Sequence, residues 1–158
     1  MAEQPYLFGP LWIPIKDGDP SAMSIFKRHY TARKARKIEQ FIGPGGKMAL
    51  ITPDAKALFA WREFISDAGE TGINCAVFRN EGTELARSSD LIRAAIVEAR
   101  TRWPFQRLHT YVDPREVRHK RDPGRCFRKA GFTLCRNEDG KPRTTKDGKL
   151  IFEIPAIA

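Results

Sequence analysis

Asp122-Pro-Gly-Arg-Cys-Phe-Arg-Lys-Ala-Gly-Phe132 is the stretch whose reading decides the fold. It reads as a short basic helix ended by Gly131 and followed at once by an extended run, Phe132-Thr-Leu-Cys135. A glycine just past a helix end suits the left-handed backbone position that closes the last turn. Phe132 then anchors the corner in the core. Upstream, Leu108-His-Thr-Tyr-Val112 reads as a strand, so the stretch belongs to a strand–helix–strand unit.

Working outward, Ser88 to Trp103 is the clearest helix. Ser88 or Ser89 is the expected cap, Asp90 sits in the first turn, and Arg100 and Arg102 lie near the end, as the helix dipole favours. Leu91, Ala95 and Ala99 form an apolar row that Ile92, Ile96 and Trp103 extend, and Pro104 stops the helix. Before it come three strand-like runs, Lys47 to Thr52, Ala57 to Phe64 and Ile73 to Phe78. The turn signals Pro53-Asp54 and Asp67-Ala-Gly69 predict an antiparallel meander. Ser21 to about Gln40 reads as a helix capped by Ser21. Leu7 to Ile15, broken by Pro10 and Pro14, is at best an edge strand. After the opening stretch, a turn-rich hairpin from Asn137 to Gly148 leads to a last strand, Leu150 to Ile154. The order β-α-βββ-α-β-α-ββ predicts an α/β fold with a mixed, mostly antiparallel central sheet flanked by helices.

The length of 158 residues fits a single domain over 1–158, with 1–20 as an N-terminal strand or extension. Its apolar runs fall far short of the roughly 20 residues needed to cross a bilayer, so no membrane partner is expected. The first residues lack a basic segment followed by an apolar one, and Cys75, Cys126 and Cys135 include no CxxC pair. A cytoplasmic protein with reduced thiols is therefore expected. The formal net charge of +9 is concentrated in two clusters. One holds Lys27, Arg28, Arg33, Lys34, Arg36 and Lys37; the other holds Arg115, Arg118, Lys120, Arg121, Arg125, Arg128 and Lys129. Such clusters attract polyanions through counterion release, although a solvated basic surface also serves solubility. Phe26 and Tyr30 lie among the first cluster, and basic residues interleaved with aromatics suit single-stranded or flipped bases.

The element order and the Lys129-Ala-Gly-Phe132 corner resemble the GNAT superfamily of acyl-CoA-dependent N-acyltransferases, over about Ser21 to Ile154. The resemblance implies a GNAT-like single domain, and acetyl-CoA or another acyl-CoA as cofactor. It also implies a pyrophosphate held at the start of the Ser88 helix and a pantetheine arm admitted where two strands splay. The cofactor-binding residues it implies are Phe78, Arg79, Ala86, Arg87, Ser88, Ser89 and Phe127. Two departures stand out. The usual glycine-rich turn reads Thr83-Glu-Leu-Ala-Arg-Ser88, with small residues only at Ala86 and Ser88. The tyrosine that often protonates the departing thiolate is replaced by Phe127, which has no proton to give.

Within that superfamily the chain resembles the Mom-type DNA-modification proteins of bacteriophages. The matching pieces are His29-Tyr30-Thr31 before basic residues, Arg79-Asn80 ahead of Ser88-Ser89, and the strand-end Asp113. This resemblance implies an amino group on a nucleic-acid base, chiefly in DNA, as acceptor. Asp113, His29 and Tyr30 are then the expected catalytic groups, while Asp113-Pro114 also reads as plain turn initiation. Arg28, Arg33, Lys34, Arg36, Lys37, Arg118, Lys120 and Arg121 are the expected nucleic-acid contacts. Tyr111 is a further candidate donor, and His109, inside a strand, is expected to pack. No metal site is expected, since nothing in the spacing of His29, His119 and Asp113 requires them to meet. Other readings are a non-enzymatic nucleic-acid-binding protein on the same fold, and an acetyltransferase for a protein lysine or small amine.

Overall fold

The computed structural model of the chain describes residues 11–28, 42, 45–63, 69–116 and 122–157. These form an α/β fold in which three helices flank a seven-stranded mixed sheet among the described residues. In chain order the elements are β1 (Ile13–Ile15), α1 (Pro20–Phe26), β2 (Gly46–Ile51), β3 (Ala57–Glu63) and β4 (Ile73–Asn80). There follow α2 (Ser88–Arg102), β5 (Leu108–Val112), α3 (Arg125–Lys129), β6 (Thr133–Leu134) and β7 (Leu150–Ile154). The strands lie in the order β1-β2-β3-β4-β5-β7-β6. Every neighbouring pair is antiparallel except β4 and β5, which run parallel because α2 carries the chain between them.

Each face of the sheet has its own apolar cluster. On one face, Leu50, Phe59, Trp61, Ile73, Cys75, Leu108 and Phe152 pack against Leu91, Ile92, Ala95 and Ala99 of α2. The expected apolar row of that helix is therefore the row that is buried. Two tryptophans fix the helix further: Trp12 Nε1 donates to Leu91 O at 2.8 Å and Trp61 Nε1 to Ala95 O at 2.9 Å. On the other face, Ala22, Met23, Ile25 and Phe26 of α1 cover Ala49, Ile51, Leu58, Ala60 and Val77.

The opening stretch folds as read, and its geometry explains its composition. Gly131 has φ of +111°. Its N–H donates to Arg128 O at 3.0 Å while Phe132 N–H reaches Phe127 O at 3.0 Å, the paired bonds of a Schellman ending. The rings of Phe127 and Phe132 meet edge to face with centroids 5.4 Å apart, the apolar contact that accompanies this ending. At the other end, Gly124 has φ of +82° and a Cβ there would lie 2.5 Å from the Phe152 ring, so glycine is required twice over.

Several boundaries differ from expectation. Helix α1 begins at Pro20 with Asp19 as its cap, Oδ1 accepting from Ser21 and Ala22 N–H at 3.0 and 3.2 Å. Ser21 is thus inside the helix, because proline at the first helical position needs the cap one residue earlier. The helix ends at Phe26 rather than near Gln40: Arg28 N–H turns to Ile25 O at 3.1 Å, and residues 29–41 lie outside the described set. At the start of α2 the cap position is Arg87, in extended conformation with no side-chain bond, so neither Ser88 nor Ser89 caps it. Ser88 Oγ accepts instead from Asn80 Nδ2 at 3.1 Å.

Candidate functional site

Strands β4 and β5 pair over only three registers, Ile73 with Leu108, Asn74 with His109 and Cys75 with Thr110. Strand β4 then continues to Asn80 beside β3 alone, and β5 continues to Val112 beside β7 alone. The cause lies on the other side of β4. Ala60 pairs with Val77 and Trp61 with Cys75, which leaves Ala76 as an extra, unpaired residue. A bulge of this kind bends its strand and increases the local twist. Here the bend comes where the ladder to β5 stops, so the two parallel strands part above Cys75 and Thr110. The result is an opening at their C-terminal ends, where sites gather in open sheets.

One wall of the opening is aromatic. Phe78 on β4 meets Phe127 on α3 edge to face, with centroids 6.0 Å apart. Phe78 is half-buried and Phe127 buried. Above them the loop from β4 to α2 is built around Asn80, whose Oδ1 accepts from Gly82 and Thr83 N–H, each at 3.0 Å. Thr83 Oγ1 donates to Asp54 Oδ2 at 2.6 Å and accepts from Leu85 N–H at 3.2 Å, so the β2–β3 turn braces the loop. Past Leu85 come Ala86, Arg87, Ser88 and Ser89, of which Ala86, Ser88 and Ser89 are half-buried and Arg87 is exposed. Arg87 makes no side-chain cap bond, and amides at an uncapped helix start are the kind that suit an outside acceptor. Opposing charges border them: Arg87 adds a cation, while Glu84 and Asp90 are exposed carboxylates.

Arg79 and Arg28 are not loose cations. Arg28 forks onto Glu81, Nε to Oε2 at 2.6 Å and Nη2 to Oε1 at 2.5 Å, and Arg79 Nε reaches Oε2 at 2.8 Å. The guanidiniums hold the Glu81 carboxyl at about 2, well below the usual range. The end of α1 is thereby pinned to the end of β4. Asp113 is likewise engaged. Its Oδ1 accepts from Arg115 N–H at 3.0 Å and Nε at 3.1 Å, and Arg115 Nη2 also reaches Asp147 O at 2.7 Å. These bonds make the turn after β5 and depress the Asp113 pKa, chiefly through the Arg115 side chain. Asp113 is therefore a fixed anion and a weak proton acceptor.

Of the residues singled out from sequence, the fold brings Phe78 and Phe127 together and places Ala86 to Ser89 at the start of α2. His29, Tyr30, Arg33, Lys34, Arg36, Lys37, Arg118, Lys120 and Arg121 lie outside the described residues. The shaping residues that sequence reasoning passed over are Ala76 and Glu81, while Asn80 was named only beside Arg79 and without its role in closing the loop. The Asn80-Glu-Gly82 run carries a readable signal, since asparagine two residues before glycine favours a side-chain-closed turn. Among the described residues no cluster of His, Cys, Asp and Glu could hold a metal ion, and no helix is long and apolar enough to cross a membrane. No family model, curated protein or solved structure matches this chain.

Proposed function

We propose that this chain is an acyl-CoA-dependent N-acyltransferase of GNAT-like single-domain fold whose acceptor is an amino group, chiefly one on a nucleic-acid base in DNA. The observation that carries the reading is the parting of β4 from β5 at the Ala76 bulge, directly below an uncapped helix start. An extended thioester arm needs unpaired strand edge to bond to, and a pyrophosphate needs free amides and a favourable dipole. Both requirements have candidate groups at one end of one parallel strand pair.

On this reading acetyl-CoA or another acyl-CoA lies with its arm along Ala76 to Phe78 and its pyrophosphate at Ala86 to Ser89. Arg87 adds charge, and Phe127 with Phe78 walls the arm. Asp113 orients the acceptor, with His29 and Tyr30 as partners, and the basic clusters from Arg28 to Lys37 and from Arg115 to Lys129 hold phosphates. Isothermal calorimetry with acetyl-CoA tests the first half: heat of binding is expected, and none at high cofactor concentration overturns the reading. Mass spectrometry of nucleosides from cells expressing the protein tests the second, against an Asp113→Ala control. A new acylated nucleoside absent from the control is expected.

One observation favours a second reading. Phe127 is committed to the Schellman ending and offers no proton to a leaving thiolate. A nucleic-acid-binding protein without transferase activity would then retain salt-dependent DNA binding and show no acetyl-CoA heat.

A further inference from the structure

The feature that the arrangement above leaves unused sits at the foot of the opening, on the face of the sheet away from α2. Asn74 and His109 are partners in the β4–β5 ladder, one register below the last pair. Their ladder neighbours Ile73, Cys75 and Leu108 belong to the α2-side cluster, so strand alternation turns Asn74 and His109 to the opposite face. His109 is fully buried and Asn74 is 7% exposed. Among the described residues, Asn74 Oδ1 and both ring nitrogens of His109 have no hydrogen-bond partner. An unpaired buried polar atom costs about 1 to 3 kcal/mol, so two such residues side by side call for a reason.

The surroundings define what could satisfy them. Arg107 is held by Glu70 at 2.9 Å and Glu153 at 2.6 Å, and Arg143 forks onto Glu70, so these four charges are matched among themselves. Tyr111 lies two residues along β5 on the same face, half-buried, its ring 5.6 Å from that of His109 and edge-on to it. Burial, followed by the Arg107 charge, lowers the His109 pKa to about 4, so the ring is neutral near pH 7. A neutral imidazole presents one acceptor nitrogen and one N–H, and Asn74 Oδ1 is a second acceptor. Two adjacent acceptors without a formal charge fit a neutral group that carries two hydrogens on one atom.

We propose that Asn74 and His109 form the acceptor-amine site, taking an uncharged –NH2 group through one hydrogen bond to Asn74 Oδ1 and one to the free ring nitrogen of His109. The inference rests on the acyl-transfer reading and names the substrate form that it uses. A neutral amine is the nucleophile that a thioester needs, and an exocyclic base amine is uncharged at neutral pH. As the nitrogen–carbonyl bond forms and the carbon–sulfur bond breaks, His109 takes one amine proton. The thiolate leaves and gains a proton from water, and His109 returns its own to solvent.

Nitrogen-15 NMR of the histidine rings in the intact protein tests this without mutation. The probe is a short single-stranded oligodeoxyadenylate, added in the presence of acetyl-CoA. The unprotonated His109 nitrogen is expected to shift toward its hydrogen-bonded position on addition of the oligonucleotide. The same shift in buffer alone, with magnetisation transfer from water, assigns the pair to a trapped water and overturns the proposal. In parallel, His109→Gln and Asn74→Leu should bind acetyl-CoA like the parent yet lose about a hundredfold in acetyl-CoA-dependent thiol release. Absence of acetyl-CoA heat in the parent protein would sink the acyl-transfer reading itself. Retained heat, with unmoved His109 nitrogens and undiminished thiol release in both variants, would sink this inference alone.

Discussion

The two halves of β4 obey different rules. From Ile73 to Cys75 the strand is a conventional interior strand: β3 pairs on one side, β5 on the other, and all three residues are buried. From Ala76 to Asn80 it has β3 alone, and four of its five residues are half-buried rather than buried. The lower half is paired on both sides and carries the buried Asn74; the upper half borders an opening. One inserted residue separates them, so the strand that anchors the core is also the strand that presents the candidate site.

This contrast can be broken most forcefully from below. Leu108 is fully buried in the paired half, and Leu108→Ala should cost roughly 3 to 4 kcal/mol in urea unfolding. Phe78→Ala, in the open half, should cost clearly less and should instead weaken acetyl-CoA binding. Equal losses of stability would mean that both halves pack alike. Next in size is a pH effect in the lower half. His109 is neutral in the fold down to about 4 against an ordinary 6.5, so the unfolded chain binds its proton first as pH falls. Its contribution is complete above the unfolded value and drains away from about 6.5 to about 4, on the order of 3 kcal/mol. His109→Gln should flatten the stability curve in that window.

Smaller effects sharpen the upper half. Phe127→Tyr should retain the Schellman ending and its contact with Phe132, changing stability by less than about 1.5 kcal/mol. If thiolate release limits turnover, acetyl-CoA-dependent thiol release should rise. Glu81→Gln should cost no more than about 1 kcal/mol at neutral pH, since its arginine partners are partly exposed. Because the folded Glu81 carboxyl titrates near 2 rather than 4.5, the parent loses this contribution as pH falls from 4.5 toward 2. The variant should lack that loss in an acid titration followed by circular dichroism.

Local chemistry explains what was legible in the sequence. The apolar row of α2, the glycine at 131 and the final strand Leu150–Ile154 are each written in consecutive or periodic residues. Helix starts were less legible: Pro20 shifted one cap to Asp19, and Asn80 drew Ser88 away from the other. The Ala76 bulge carries no local sign, because alanine is as ordinary in a regular strand as in a bulge. It arises from how β3 and β4 align over their whole length. The buried pair Asn74 and His109 was equally hidden, since their proximity depends on a parallel ladder closed across α2. The Glu70, Arg107, Arg143 and Glu153 charge network spans 37 or more positions in each of these pairings, beyond any local motif.

The two indole bonds to α2 have an optical consequence. Trp12 and Trp61 each donate to a carbonyl of that helix, and Trp103 follows its last turn with the Arg102 guanidinium 4.6 Å over its ring. Every tryptophan in the chain therefore reads the seating of one helix, the helix whose first turn would meet the cofactor. Intrinsic fluorescence is a built-in gauge of α2: if the helix lifts from the sheet, emission should move to the red before the far-ultraviolet spectrum reports loss of the strands.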